Sequence, residues 1–106
     1  MRDKLPNFVY PCGKRYRVKM VHLDTDEFGE TIGAEKIIKI NTDPRKTKSQ
    51  WETLVHELIH AILYSTGITH ALPHENGVDI EEALVVALEE HLFPYIDLDK
   101  LGVRPK

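Results

Sequence analysis

The sequence predicts a small α+β domain, with strands in its first part and helices in its second. Three observations carry this. Short runs of partly alternating apolar residues lie before residue 42, and two longer runs with helical apolar spacing follow residue 49. Segregated strands and helices fit an α+β layering better than an alternating parallel design. The 106 residues fit one domain, 1–106, and 42% hydrophobic with 29% charged residues is a folded rather than a disordered composition.

The start is punctuated by Pro6 and by Pro11-Cys12-Gly13 and reads as loose chain. Tyr16 to Leu23 alternates in part and reads as a strand, and Asp24 to Gly29 as a polar turn. Lys36 to Asn41 is a second strand, with a short one at Glu30 to Gly33 before it; Asn41-Thr42-Asp43-Pro44 breaks the pattern. The expected sheet is small and mostly antiparallel.

A helix follows from Gln50 to about Thr66. Ser49-Gln50-Trp51-Glu52 has capping-box spacing, with Ser49 as N-cap and Glu52 reaching back. Gly67 is a natural stop, because glycine enters the left-handed cap conformation cheaply. Ile68 to Gly77 reads as a loop carrying His70, Pro73 and His74. A second helix starts near Asp79 and runs to about Leu92, and Pro94 ends it. The tail from Tyr95 carries Ile96, Leu98, Leu101 and Val103 and is expected to pack as a closing segment.

On the first helix, Trp51, Leu54, Val55, Leu58, Ile59 and Ile62 form an apolar stripe that docks on the core. Thr53, His56, Glu57, His60 and Tyr64 form the opposite face. Histidines at i and i+4 sit one turn apart, so both rings can reach one ion at the roughly 2 Å bonds zinc requires. Glu57 is rotated by about 100° from His56, which suits it to a metal-bound water rather than to the metal. Zinc lowers the pKa of such a water, and a carboxylate beside it serves as general base and then acid. The plain alternative is a solvated helix face. Against it stand the mid-helix position and a face without the usual Lys/Glu mixture.

A catalytic zinc needs a third protein ligand and an open position. The candidates are Glu81, Glu82, Glu89, His70 and His74. Ile80, Leu84, Ala87 and Leu88 make the second helix's apolar stripe, with Glu82 and Glu89 opposite it and Glu81 flanking it. Glu82 is therefore preferred, although Asp79 to Glu82 also has capping-box spacing, which gives Glu82 an ordinary helix-start role. Leu63 and Thr66 stand where a metzincin would have its glycine and third histidine, which excludes that pattern. Tyr64, one turn beyond His60, is a candidate oxyanion donor or simply a packed tyrosine. His70 and His74 are weaker candidates for that role, and His22 and His91 read as structural.

Trp51 to Ala61, followed by Glu81-Glu82-Ala83-Leu84-Val85, resembles the gluzincin side of the zincin superfamily. In thermolysin-like and ImmA/IrrE-like peptidases the third ligand is a glutamate on a later helix, commonly followed by alanine, and Glu82-Ala83 matches that pair. The closest likeness is to small zincin-like proteins of phages and prophages, over roughly Tyr16 to Leu92. The resemblance implies a minimal zincin fold without the second domain of thermolysin-like enzymes. It also implies hydrolysis of a peptide or protein substrate with Zn2+. It further implies that the strand just before the active helix, Ile37 to Asn41, edges the cleft and receives an extended peptide, the plain alternative being an ordinary core strand. The rival readings are a zinc-stabilised regulatory or host-interaction protein with little turnover, and a metal hydrolase acting on esters or phosphates.

Other classes are disfavoured. A net charge of -3 gives no general attraction to nucleic acid or acidic membrane. No apolar run is long enough to span a bilayer, and the N-terminus lacks a secretory apolar region. Cys12 is the one cysteine, so no internal disulfide forms. The expected setting is cytoplasmic, in a bacterium or a phage-infected cell.

Overall fold

The computed structural model describes residues 4–43, 49–72, 74–75 and 78–105. Pro44, Pro73 and Gly77, and the side chain of His74, lie outside the described part. The chain forms strands β1 (Phe8–Val9), β2 (Tyr16–Val21), β3 (Gly29–Ile32) and β4 (Ile37–Asn41), then helix α1 (Gln50–Ser65). A four-residue helix α2 (Ile68–Ala71), a strand pair β5 (His74–Glu75) and β6 (Val78–Asp79), and helix α3 (Ile80–Leu92) complete it. Two 3-10 turns, Phe93–Tyr95 and Leu98–Lys100, lead to the end.

The α+β class is as the sequence predicts. The four-stranded sheet has the order β1-β2-β4-β3. β1 on β2 and β3 on β4 are antiparallel, whereas β2 and β4 are parallel, with Val18 beside Ile38 and Met20 beside Ile40. The sheet is therefore mixed. Pairing β4 with both β2 and β3 leaves it no free edge, which corrects its expected role as the cleft's edge. Among the described residues, the strand with an open side next to α1 is β3.

One face of the sheet is apolar because Tyr16 and Val18 on β2, and Ile38 and Ile40 on β4, are spaced two apart and share a side, with Val9 of β1 beside Tyr16. They pack with Leu5 and with Leu54 and Ala61 of α1, and Trp51, Leu58 and Leu101 close the rim. Burying a side chain as fully as Leu54 is worth about 1.5–3 kcal/mol. The N-terminal segment is thus not loose: Leu5 and Val9 belong to the core, and Leu101 shows the tail closing it.

Ser49 caps α1, its hydroxyl accepting from the Trp51 amide at 3.2 Å, one residue earlier than the capping-box pattern. Gly67 takes φ 82° immediately after the helix, the stop its lack of a Cβ permits. Ile62 is 38% exposed, so the docking stripe is narrower than the spacing suggested. On the other side Thr53, His56 and Glu57 are buried, because β3 and α3 cover them.

Helix α3 departs most from expectation. Its stripe of Ile80, Leu84 and Ala87 is exposed and Leu88 half-buried, while Val85 and Glu89 are the buried residues. The helix docks on α1 by its carboxylate-bearing edge, since the imidazoles of α1 offer Glu81, Glu82 and Glu89 the hydrogen-bond partners a buried carboxylate needs. No helix is long and apolar enough to cross a membrane among the described residues.

Candidate metal centre

His56 and His60 lie one turn apart on α1, with ring centroids 5.1 Å apart. Asp79 caps α3 by accepting from the Glu82 amide at 2.9 Å. The cap occupies the backbone of Glu82 and leaves its side chain free. One Glu82 oxygen lies 2.7 Å from Nε2 of His56, the other 2.9 Å from Nε2 of His60. The three groups offer ligand atoms that all fall within 4.8 Å of one another. Thus the structure brings together the three residues proposed from the sequence. His70 instead packs edge-on to Tyr64, with centroids 5.4 Å apart.

Two other candidates from α3 stand behind the histidines. Nδ1 of His56 is 2.8 Å from Glu89, and Nδ1 of His60 is 2.5 Å from Glu81. These contacts decide the chemistry of the rings. A neutral imidazole has one N–H, and a carboxylate on Nδ1 draws it there. Each Nε2 then presents a lone pair to an oxygen of Glu82, and two acceptors at such distances need a cation between them. Burial lowers the His60 pKa, but the hydrogen bond to Glu81, the charge of Glu57, and the bond and charge of Glu82 outweigh it, so the net direction is upward. A divalent ion fits the same donor set: two nitrogens and a carboxylate, with two further carboxylates orienting the rings. The Glu82 side chain is 44% exposed, so the centre opens to the cleft.

Glu57 sits beside this group, with Oε2 4.0 Å from Nε2 of His56. Thr31 on β3 donates its hydroxyl within 2.8 Å of Glu57 Oε1 and 2.9 Å of the Glu57 carbonyl oxygen. Burial pushes the Glu57 carboxyl above its ordinary range and the Glu82 charge adds to this, while the Thr31 hydrogen bond and the two histidines pull it partly back. Gly29 makes this approach feasible. A Cβ there would lie 2.7 Å from the Lys39 carbonyl oxygen, 2.9 Å from Thr53 and 3.2 Å from Glu57.

The centre opens into a cleft of about 650 Å³ between β3 and α3, whose walls include Phe28, Tyr64, Thr69 and Val86. Tyr64 lines it from above Gly33, where an added Cβ would lie 2.4 Å from the ring. This packing fits the plainer expectation of a packed tyrosine, whose ring here forms part of the cleft wall. Sequence reasoning gave no role to Thr31, since a lone strand threonine carries no signal. The ring-holding role of Glu89 had a visible cue: it lies seven residues, about two turns, beyond Glu82 on the same helix face.

The chain matches no family model, no curated protein and no solved structure in comparisons of each kind.

Proposed function

We propose that this chain is a zinc-dependent peptidase of the His-Glu-x-x-His type, with the minimal zincin-like arrangement its sequence resembles. The observation that carries the reading is the convergence of both Nε2 atoms on Glu82 while both Nδ1 atoms are held by carboxylates. His56, His60 and Glu82 would hold the ion, which when bound supplies a water of lowered pKa and polarises a carbonyl. Glu57 takes the proton from the attacking water and delivers it to the departing amine. Thr31 fixes the direction of that carboxylate. Peptide is favoured as substrate because β3 runs along the cleft with one side unpaired among the described residues, and an extended chain adds to such an edge.

The test is zinc content after dialysis together with hydrolysis of a fluorogenic peptide library. Wild type is expected to hold one zinc and to cleave. Glu57→Gln is expected to keep the zinc and lose about 100- to 10,000-fold in rate. Equal zinc in wild type and in a His56→Ala, His60→Ala double variant would remove the metal site. Undiminished cleavage by zinc-loaded Glu57→Gln would remove the mechanism.

A further inference from the structure

Residues 49–99, which supply α1, α3 and the segments around them, contain ten Asp and Glu and no Lys or Arg. All fourteen Lys and Arg lie outside this stretch. The cleft inherits the asymmetry. Its lining includes Glu27, Glu30, Glu57, Asp79, Glu81 and Glu82, and no Lys or Arg among the described residues. Glu57, Glu81 and Glu82 serve the candidate metal centre, and Glu30 lies 3.9 Å from Lys39. Asp79 caps α3 from an exposed position. Glu27 is exposed at the approach to β3, and its side chain makes no ion pair among the described residues. The centre therefore does not account for all of the cleft's negative charge.

We infer that the cleft selects basic peptide segments, with lysine or arginine side chains flanking the bond placed at the centre. A concave site walled by charge of one sign concentrates its field and raises the local concentration of oppositely charged ligands. The geometry adds where the pieces go. An extended peptide paired with β3 passes Glu27 at one end, while the exposed rings and methyls of Phe28 and Val86 leave apolar room within the cleft. Acidic peptides meet the same field as repulsion. This inference rests on the peptidase reading for the identity of the site, but it concerns binding as much as cleavage.

The experiment uses three fluorogenic peptides with one neutral core, flanked by lysine, by serine or by glutamate. Cleavage by the zinc-loaded protein is measured as kcat/KM, and binding to zinc-loaded Glu57→Gln by fluorescence anisotropy. The lysine-flanked peptide should exceed the glutamate-flanked one by roughly tenfold or more at low salt in both assays. The ratio should shrink in about 0.5 M salt, where screening acts within about 4–5 Å. Glu27→Lys should narrow the low-salt ratio roughly three- to tenfold. Equal handling of all three peptides, or a preference for glutamate flanks, overturns the inference while cleavage itself leaves the peptidase reading standing. If no peptide is cleaved, the peptidase reading falls, and the anisotropy series alone decides the inference: salt-sensitive preference for lysine supports it, and its absence overturns it.

Discussion

Replacing Glu82 by alanine should weaken zinc binding more than any other single substitution on α3, and the contacts fix the order of the rest. Glu82 gives one oxygen to each Nε2, at 2.7 and 2.9 Å. Its loss removes a ligand atom and a full negative charge from where the ion would sit. On the two rings, Glu81 and Glu89 contact the far nitrogens, at 2.5 and 2.8 Å. Removing such an outer partner typically costs about 10- to 100-fold in metal affinity. That corresponds to about 1.4–2.7 kcal/mol. Glu81→Ala and Glu89→Ala should fall in this window, Glu82→Ala should exceed it, and Glu90→Ala, at an exposed position of the same helix, should stay near wild type. Geometry thus gives Glu81 a larger role than its place beside the apolar stripe suggests. The assay is a competition titration with a zinc chelator, with metal-free thermal melts run alongside to separate lost ligation from lost fold. If Glu82→Ala loses no more affinity than Glu81→Ala, the ligand assignment is wrong. If Glu81→Ala and Glu89→Ala bind like wild type, the outer carboxylates do not orient the rings.

Three further outcomes follow from other contacts. Thr31→Val keeps the side chain's size but deletes the hydroxyl that holds Glu57; a hydrogen bond to a charged group is worth about 1.5–3 kcal/mol, so kcat should drop roughly tenfold or more with zinc content and KM little changed. An unchanged kcat would show that Thr31 is mere packing. Gly29→Ala sets a methyl against the Lys39 carbonyl oxygen and the Thr53 and Glu57 side chains, and should destabilise by about 1–3 kcal/mol in urea titration while lowering turnover; wild-type values of both would disprove the close approach. Leu54→Ala opens a void in the fully buried centre of the core and should cost about 2–5 kcal/mol, read as a lower melting temperature in both metal-free and loaded protein.

What was legible in the sequence was local. The cap at Ser49, the stop at Gly67 and the shared face of His56 and His60 depend on spacings of a few residues, and the helix appears where they place it. The α+β class followed from the segregation of the two periodicities. The rest depended on partners distant in the chain. Two-residue strands such as β1 and β6 are too short to alternate, so only pairing reveals them. The parallel placement of β4 beside β2, which makes β3 the edge, is invisible to any window along the chain. The face of α3 was misjudged because an apolar stripe is ordinarily the buried one, and here Ile80 and Leu84 face outward while Glu89 is enclosed. The wheel did separate Glu82 from Glu81, and the structure turns each to a different nitrogen of His60.

That inverted seating of α3 has a consequence for how the molecule comes apart. None of its residues belongs to the apolar cluster joining the sheet to α1, and of the thirteen only Val85 and Glu89 are buried. Apart from Val85, the helix is attached largely through carboxylates and imidazoles, so a cation bound among them would strengthen its hold. If the proposed centre binds zinc, free zinc acts as a dial on one local opening event: each tenfold rise above the dissociation constant should add about 1.4 kcal/mol to the free energy of detaching α3. Amide hydrogens of Ile80–Leu92 should exchange with solvent at a rate that tracks zinc concentration, as a separate cooperative unit. Those of β2, β4 and the buried turns of α1 should report the slower opening of the whole domain.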